Sequence, residues 1–234
     1  MKAPIVLAVD TQDLETAKKW VSLTSDSVSV FKLGLEFFLN FGSDGVEAIK
    51  AETDADIFLD LKLHDIPNTV GAAAQAVSHI APRFLTVHAS GGRAMVAAAV
   101  ASLPKTDVTA VTILTSLSEE DLFEIGFAQK PLESAVALAD LSVRAGARAI
   151  VCSPLEISAI RKHVGSEPII ITPGVRPVDS QGGDDQVRTM TPQQAMNEGA
   201  NFVVIGRPIT QSWKDGAQAL SQRARAIADD ILAR

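Results

Sequence analysis

The chain has 234 residues, 47% of them hydrophobic and 21% charged, a balance that excludes intrinsic disorder and suits a core-rich globular protein. A formal net charge of −7, with no block of Lys or Arg, argues against a nucleic-acid surface. The single cysteine, Cys152, excludes an intramolecular disulfide and fits a reducing compartment.

Strand-like and helix-like segments alternate along the whole length. Apolar runs rich in Val and Ile occur at residues 5–10, 28–33, 56–63, 84–88, 108–114, 149–152, 168–172 and 202–206. Runs that are apolar on every position are expected of parallel strands covered on both faces. Ala-rich amphipathic segments lie between them at 14–23, 70–80, 94–103, 132–145 and 217–232. Eight β-α pairs in this length predict one (β/α)₈ TIM barrel, α/β in class, over residues 1–234. A doubly wound open sheet is the alternative. It is weakened because no Gly-x-Gly-x-x-Gly follows the first strand and no Gly-x-x-x-x-Gly-Lys is present. The N-terminal residues read straight into a strand, without a secretory apolar region, and no stretch is long and apolar enough to span a bilayer. A cytoplasmic protein without membrane partners is expected.

In such a barrel the active site is built where strands end and βα loops begin. Polar residues there carry the signal: Asp10 closes the first run, Lys32 lies near the end of the second, and Asp60 and Lys62 close the third. Strand alternation puts Asp60 and Lys62 on one face and Leu61 and Leu63 on the other. Asp65 lies past the strand, and Pro67 marks where a helix can begin. An Asp-x-Lys-x-x-Asp by itself is more often a structural ion-pair network. Four alternating charges at one end of three neighbouring strands favour a site, because burying each costs several kcal/mol unless it is paired.

The far side of the barrel offers an anion site. Pro173-Gly174-Val175-Arg176-Pro177 follows the seventh run and Gly206-Arg207-Pro208-Ile209 follows the eighth. Loops at these two places frequently hold phosphate. Gly206 would allow close backbone approach, and Arg176 and Arg207 could fork onto phosphate oxygens. Residues 177–188 read as a lid, with Gln186 able to reach back to a ligand. Cys152, His64, His79, His88, His163, Trp20 and Trp213 read as packing, hydrogen-bonding or solvated residues, without metal-ligand spacing.

The stretch Asp60-Leu61-Lys62-Leu63-His64-Asp65-Ile66-Pro67-Asn68-Thr69 resembles the signature of the orotidine 5′-phosphate decarboxylase family in its bacterial form. Leu7-Ala8-Val9-Asp10, Phe31-Lys32-Leu33-Gly34, Val87-His88-Ala89-Ser90-Gly91-Gly92, Thr172 to Pro177 and Ile205 to Ile209 match in the family's order. The resemblance implies decarboxylation of orotidine 5′-monophosphate to uridine 5′-monophosphate, with neither cofactor nor metal. It makes Lys62 the proton donor to C6 and sets Asp60 against the departing carboxylate. Lys32 would contact the ribose and Asp60, and Asp10 a ribose hydroxyl. Asp65, Ile66 and Thr69 would reach into a neighbouring subunit's site, making a homodimer. Thr115, with Ser116 as the alternative, would sit near the pyrimidine edge, and Arg176, Gln186, Gly206 and Arg207 would grip the phosphate.

The chemistry agrees with that implication. Loss of CO₂ from C6 leaves a vinylic carbanion without an adjacent carbonyl, and the sequence carries no thiamine, pyridoxal-phosphate or metal motif to act as electron sink. A fixed cation must then stand where negative charge develops. A related barrel lineage resembling hexulose-phosphate synthase keeps Asp-x-Lys-x-x-Asp but uses Mg²⁺ and an enediolate. A phosphate-binding barrel without catalysis is the third reading.

Overall fold

The computed structural model describes residues 2–177 and 190–233. Eight strands, β1 (Ala3–Ala8), β2 (Val28–Gly34), β3 (Asp56–Leu63), β4 (Phe84–His88), β5 (Asp107–Val111), β6 (Ala149–Val151), β7 (Ile169–Thr172) and β8 (Phe202–Ile205), pair in sequence order and close into a barrel. Every pairing is parallel, including β8 with β1. Helices return the chain along the outside: α1 (Leu14–Thr24), α2 (Leu35–Lys50), α3 (Pro67–Ala76), α4 (Arg93–Ser102), α5 (Glu119–Glu124), α6 (Pro131–Arg144), α7 (Ile157–Val164), α8 (Pro192–Asn197), α9 (Arg207–Thr210) and α10 (Ala217–Leu232). The TIM-barrel expectation holds.

Local chemistry explains several boundaries. The Asp13 carboxylate caps α1 by accepting the Thr16 N–H at 3.1 Å. Pro67 opens α3, where its missing N–H costs nothing. Two strands are shorter than their apolar runs. β1 ends at Ala8, so Asp10 stands in the following loop rather than closing the strand, and β5 stops at Val111 rather than at 114. At the latter point Thr112 donates both its N–H and its hydroxyl to the Val151 carbonyl. Helix α2 has no clean apolar stripe in sequence, because Asn40, Gly42, Ser43 and Gly45 interrupt it. Gly42, at φ 57°, breaks the helical path inside it.

Period-two alternation around a closed barrel makes two cores. Val6, Val30, Phe58, Phe84, Ala149 and Ile171 point inward and fill the barrel, with Phe202 packed beside them. Leu7, Phe31, Leu59, Leu85, Ile150 and Val203 point outward under the helices. Burial of each such large side chain stabilises the fold by about 1.5–3 kcal/mol. The Phe58 and Phe84 ring centroids lie 5.5 Å apart and those of Phe84 and Phe202 5.9 Å. The Arg83 guanidinium sits 4.9 Å from the Phe84 ring centre and bonds Asp56, closing the barrel at the strands' N-terminal end. The opposite end stays open. Among the described residues no helix is long and apolar enough to cross a membrane.

Candidate active site

The inward positions that follow the aromatic plug toward the C-terminal end are polar. On β2, Lys32 comes after Val30; on β3, Asp60 comes after Phe58; on β4, Thr86 comes after Phe84. The Asp60 carboxylate organises them. One of its oxygens, Oδ1, lies 2.7 Å from Lys62 Nζ and accepts the Thr86 hydroxyl at 3.0 Å. The other, Oδ2, faces Lys32 Nζ at 3.3 Å, and Lys32 in turn lies 3.7 Å from Asp10 Oδ1. The side chains of Asp60 and Lys32 are only 11% and 13% exposed, whereas Lys62 is 30% exposed. Burial opposes ionisation of Asp60, but Lys32, Lys62 and the hydrogen bonds outweigh it and hold the carboxyl below its ordinary range. Burial likewise works against charge on Lys32, yet Asp60 and Asp10 raise its pKa. Asp60 and Lys32 are therefore held in their ionised forms.

Space for this row depends on Gly34. A Cβ at that position would stand 3.2 Å from Lys32 Nζ and 3.6 Å from Asp10 Oδ1. Strand β3 also departs from regular pleating here. Leu59 pairs with Leu85 and Leu63 with Val87, so four steps on β3 face two on β4. This bulge puts Lys62 at φ 48°, a left-handed conformation that is uncommon outside glycine. Alternation alone would have aimed Lys62 inward. The bulge does so by another route, and the Lys62 N–H, freed from the ladder, finds the Thr86 hydroxyl oxygen at 2.8 Å.

Asp10, Lys32, Asp60 and Lys62 line one wall of a cavity of about 280 Å³ at the open end. Thr115, Arg176, Gly206 and Arg207 line it too, while Ser116 does not. Gly206 approaches the adjacent strand β1 closely, because a Cβ there would meet Ala8 Cβ at 3.3 Å. The base of the loop after β7 is clasped by Arg176 N–H to the Met190 carbonyl at 2.9 Å. Gln186 and nearly all of the expected lid lie outside the described residues. Asp65, Ile66 and Thr69 are exposed at the same end, outside the cavity of their own chain, with Asp65 accepting the Ile66 N–H. The rings of His64 and His88 lie 5.4 Å apart beside the mouth. Burial, then His64 and Lys62, lower the His88 pKa and keep it neutral.

Two features escaped the sequence reading. Thr86 sits inside an apolar run, and the only hint was a hydroxyl at an inward-facing position. The apolar wall of Ile113, Leu114, Val151, Cys152 and Val204 was the other. Cys152 is fully buried there, and burial, with Glu156 nearby, pushes its thiol well above the ordinary range, making it an inert wall residue.

Fold and site together define a (β/α)₈-barrel enzyme in which the charged row and two arginines, Arg176 and Arg207, line one cavity at the C-terminal mouth. The family model described as "Orotidine 5'-phosphate decarboxylase / HUMPS family" matches residues 3–222. A protein of Thermobifida fusca (strain YX) named orotidine 5'-phosphate decarboxylase is 48% identical over 224 residues, 96% of each chain. Another of that name, from Frankia casuarinae, is 42% identical over 249 residues, covering 99% of this chain and 89% of its own. The crystal structure of orotidine 5'-phosphate decarboxylase from Lactobacillus acidophilus superposes with a TM-score of 0.80 at 32% identity, over 99% of this chain and 98% of that one. The chain belongs to the orotidine 5'-phosphate decarboxylase / HUMPS family.

Proposed function

We propose that the protein decarboxylates orotidine 5′-monophosphate to uridine 5′-monophosphate in pyrimidine biosynthesis, with Lys62 as proton donor. One observation carries the reading: a buried carboxylate shared by two ammonium groups lines the same cavity as two arginines, Arg176 after β7 and Arg207 at the start of α9. The phosphate binds at Arg176, Gly206 and Arg207, with Gln186 completing the grip, and the ribose lies against Asp10 and Lys32. Thr115 meets the pyrimidine edge. This sets the substrate carboxylate against Asp60 and C6 near Lys62 Nζ. The C6–carboxylate bond breaks, CO₂ departs, and the electron pair stays at C6. Lys62 then delivers a proton to C6 and is reprotonated from water. Lys62 supplies fixed positive charge where the carbanion forms, and such preorganised charge is the largest single contribution in many enzymes.

The Mg²⁺-enediolate alternative asks Asp60 to be a metal ligand, but both of its oxygens already face ammonium groups. The working unit is a homodimer. Leu39 is 81% and Ile66 65% exposed, on segments that follow the neighbouring strands β2 and β3, an apolar surface suited to a second copy. Asp65, Ile66 and Thr69 enter the partner's site, and the protein works in the cytoplasm.

The deciding experiment is turnover of orotidine 5′-monophosphate by the purified protein in excess EDTA, followed by ultraviolet absorbance, with Lys62→Ala as control. Conversion to uridine 5′-monophosphate that the control abolishes supports the reading. Silence with EDTA, together with Mg²⁺-dependent activity on a sugar phosphate, overturns it.

A further inference from the structure

The fully buried Thr86 hydroxyl joins two parts of the site that belong to another strand. It accepts the Lys62 N–H at 2.8 Å and donates to Asp60 Oδ1 at 3.0 Å, while that same oxygen receives Lys62 Nζ at 2.7 Å. The result is a closed ring: Lys62 backbone, Thr86 hydroxyl, Asp60 carboxylate, Lys62 ammonium. A hydroxyl has one proton and two lone pairs, so a single Thr can donate to the carboxylate and accept from the amide together. Valine, of the same shape, can do neither. The branched Cβ restricts the rotamer and fixes the hydroxyl's direction.

The bulge makes this ring consequential. Two surplus residues of β3 are unpaired against β4, and Lys62 sits there at φ 48°. Without an acceptor for its N–H, the backbone that aims the ammonium would be tied to β4 only through the pairs flanking the bulge, Leu59 with Leu85 and Leu63 with Val87. We infer that Thr86 is a positioning residue, which pins the β3 bulge and orients Asp60 so that the Lys62 ammonium is held at one place relative to the bound substrate. The inference rests on the proposed reaction for its kinetic consequence, but not for its structural one. Misplacing a reacting group by about 1 Å can cost on the order of 100-fold in rate.

The test compares wild type with Thr86→Val, Thr86→Ala and Thr86→Ser. It measures kcat and KM for orotidine 5′-monophosphate, Kd for uridine 5′-monophosphate, and hydrogen exchange across residues 59–65. Thr86→Val is expected to lose about 10- to 100-fold in kcat with product affinity within about threefold, while Thr86→Ser stays within about threefold on both. Exchange at the Lys62 amide should rise at least about tenfold in the valine variant and little in the serine variant. Thr86→Ala gives the same comparison if the valine variant does not fold. Equal losses in the serine and valine variants, or unchanged exchange at 59–65 in the valine variant, overturn the inference. A wild type silent on this substrate refutes the proposed reaction instead, and exchange alone then decides the role of Thr86.

Discussion

Replacing Asp60 by Asn tests whether this carboxylate is the counterion that makes the site possible. The amide keeps an acceptor for the Thr86 hydroxyl but turns NH₂ toward an ammonium and leaves Lys32 and Lys62 repelling each other. At an effective dielectric of about 20, attraction across the 3.3 Å Asp60–Lys32 pair is about 5 kcal/mol before desolvation is counted. Breaking a buried pair from one side costs about 3–5 kcal/mol net, because the orphaned charge stays buried. Two features pull this case toward the low end. Lys62, 30% exposed, regains water, and Lys32 keeps Asp10 at 3.7 Å. The expected loss is therefore about 3 kcal/mol, or a fall in Tm of about 6–12 °C for a chain of this size. Urea denaturation followed by the fluorescence of Trp20 and Trp213 measures it. A variant within about 1 kcal/mol of wild type, or more stable, would show that the two lysines do not depend on Asp60 and would refute the electrostatic account.

Gly34→Ala should push the Lys32 ammonium away from Asp10, lowering kcat/KM while stability changes by less than about 1 kcal/mol; steady-state kinetics beside a thermal melt will check this, and unchanged kinetics would mean the row has slack. Mixing inactive Lys62→Ala and Asp65→Ala subunits should restore about a quarter of wild-type activity, since half the dimers are mixed and each has one intact site. Mixed dimers that form and stay inactive would remove Asp65 from the partner's site. The stabilisation from Asp60, whose pKa is depressed, is complete above the ordinary carboxyl value of 3.8 and is lost as pH falls through its lower folded value. That from Lys32, whose pKa is raised, is complete below 10.5 and is lost as pH rises through its higher folded value. The part of stability that depends on Asp60 and Lys32 should thus be flat between about pH 5 and 9, whereas His88, whose pKa is lowered, withdraws stability as pH falls below its ordinary 6.5; a break between about pH 5 and 9 in the difference between wild type and an Asp60 or Lys32 variant would contradict the paired charges.

Strand existence and order were legible because parallel strands covered on both sides leave apolar runs rich in Val and Ile, whereas the apolar run of α4 is mostly Ala. Their ends were less so. The apolar run continues past β5 to Leu114, and only pairing with β6 reveals that the ladder stops at Val111. Asp60 and Lys62 were placed together by counting alternate residues, whereas the backbone reaches that outcome through a bulge whose presence depends on β4. For the same reason Thr86 was invisible: its importance lies in what another strand places beside it. Helix α2 was masked by breaker residues that its packing against the barrel overrides.

The aromatic plug beneath the charged row fills the barrel on the side away from its open end. Phe58 and Phe84 are almost fully buried below that row, with ring centroids 5.5 Å apart, and the cavity above them lies at the C-terminal end of the strands. Any molecule seated over that mouth would therefore compete with substrate however little it resembles it. The plug also insulates the two ends from each other. Arg83 and Asp56 lie on the far side of the plug from the charged row, so exchanges there are expected to change stability and leave turnover as it is.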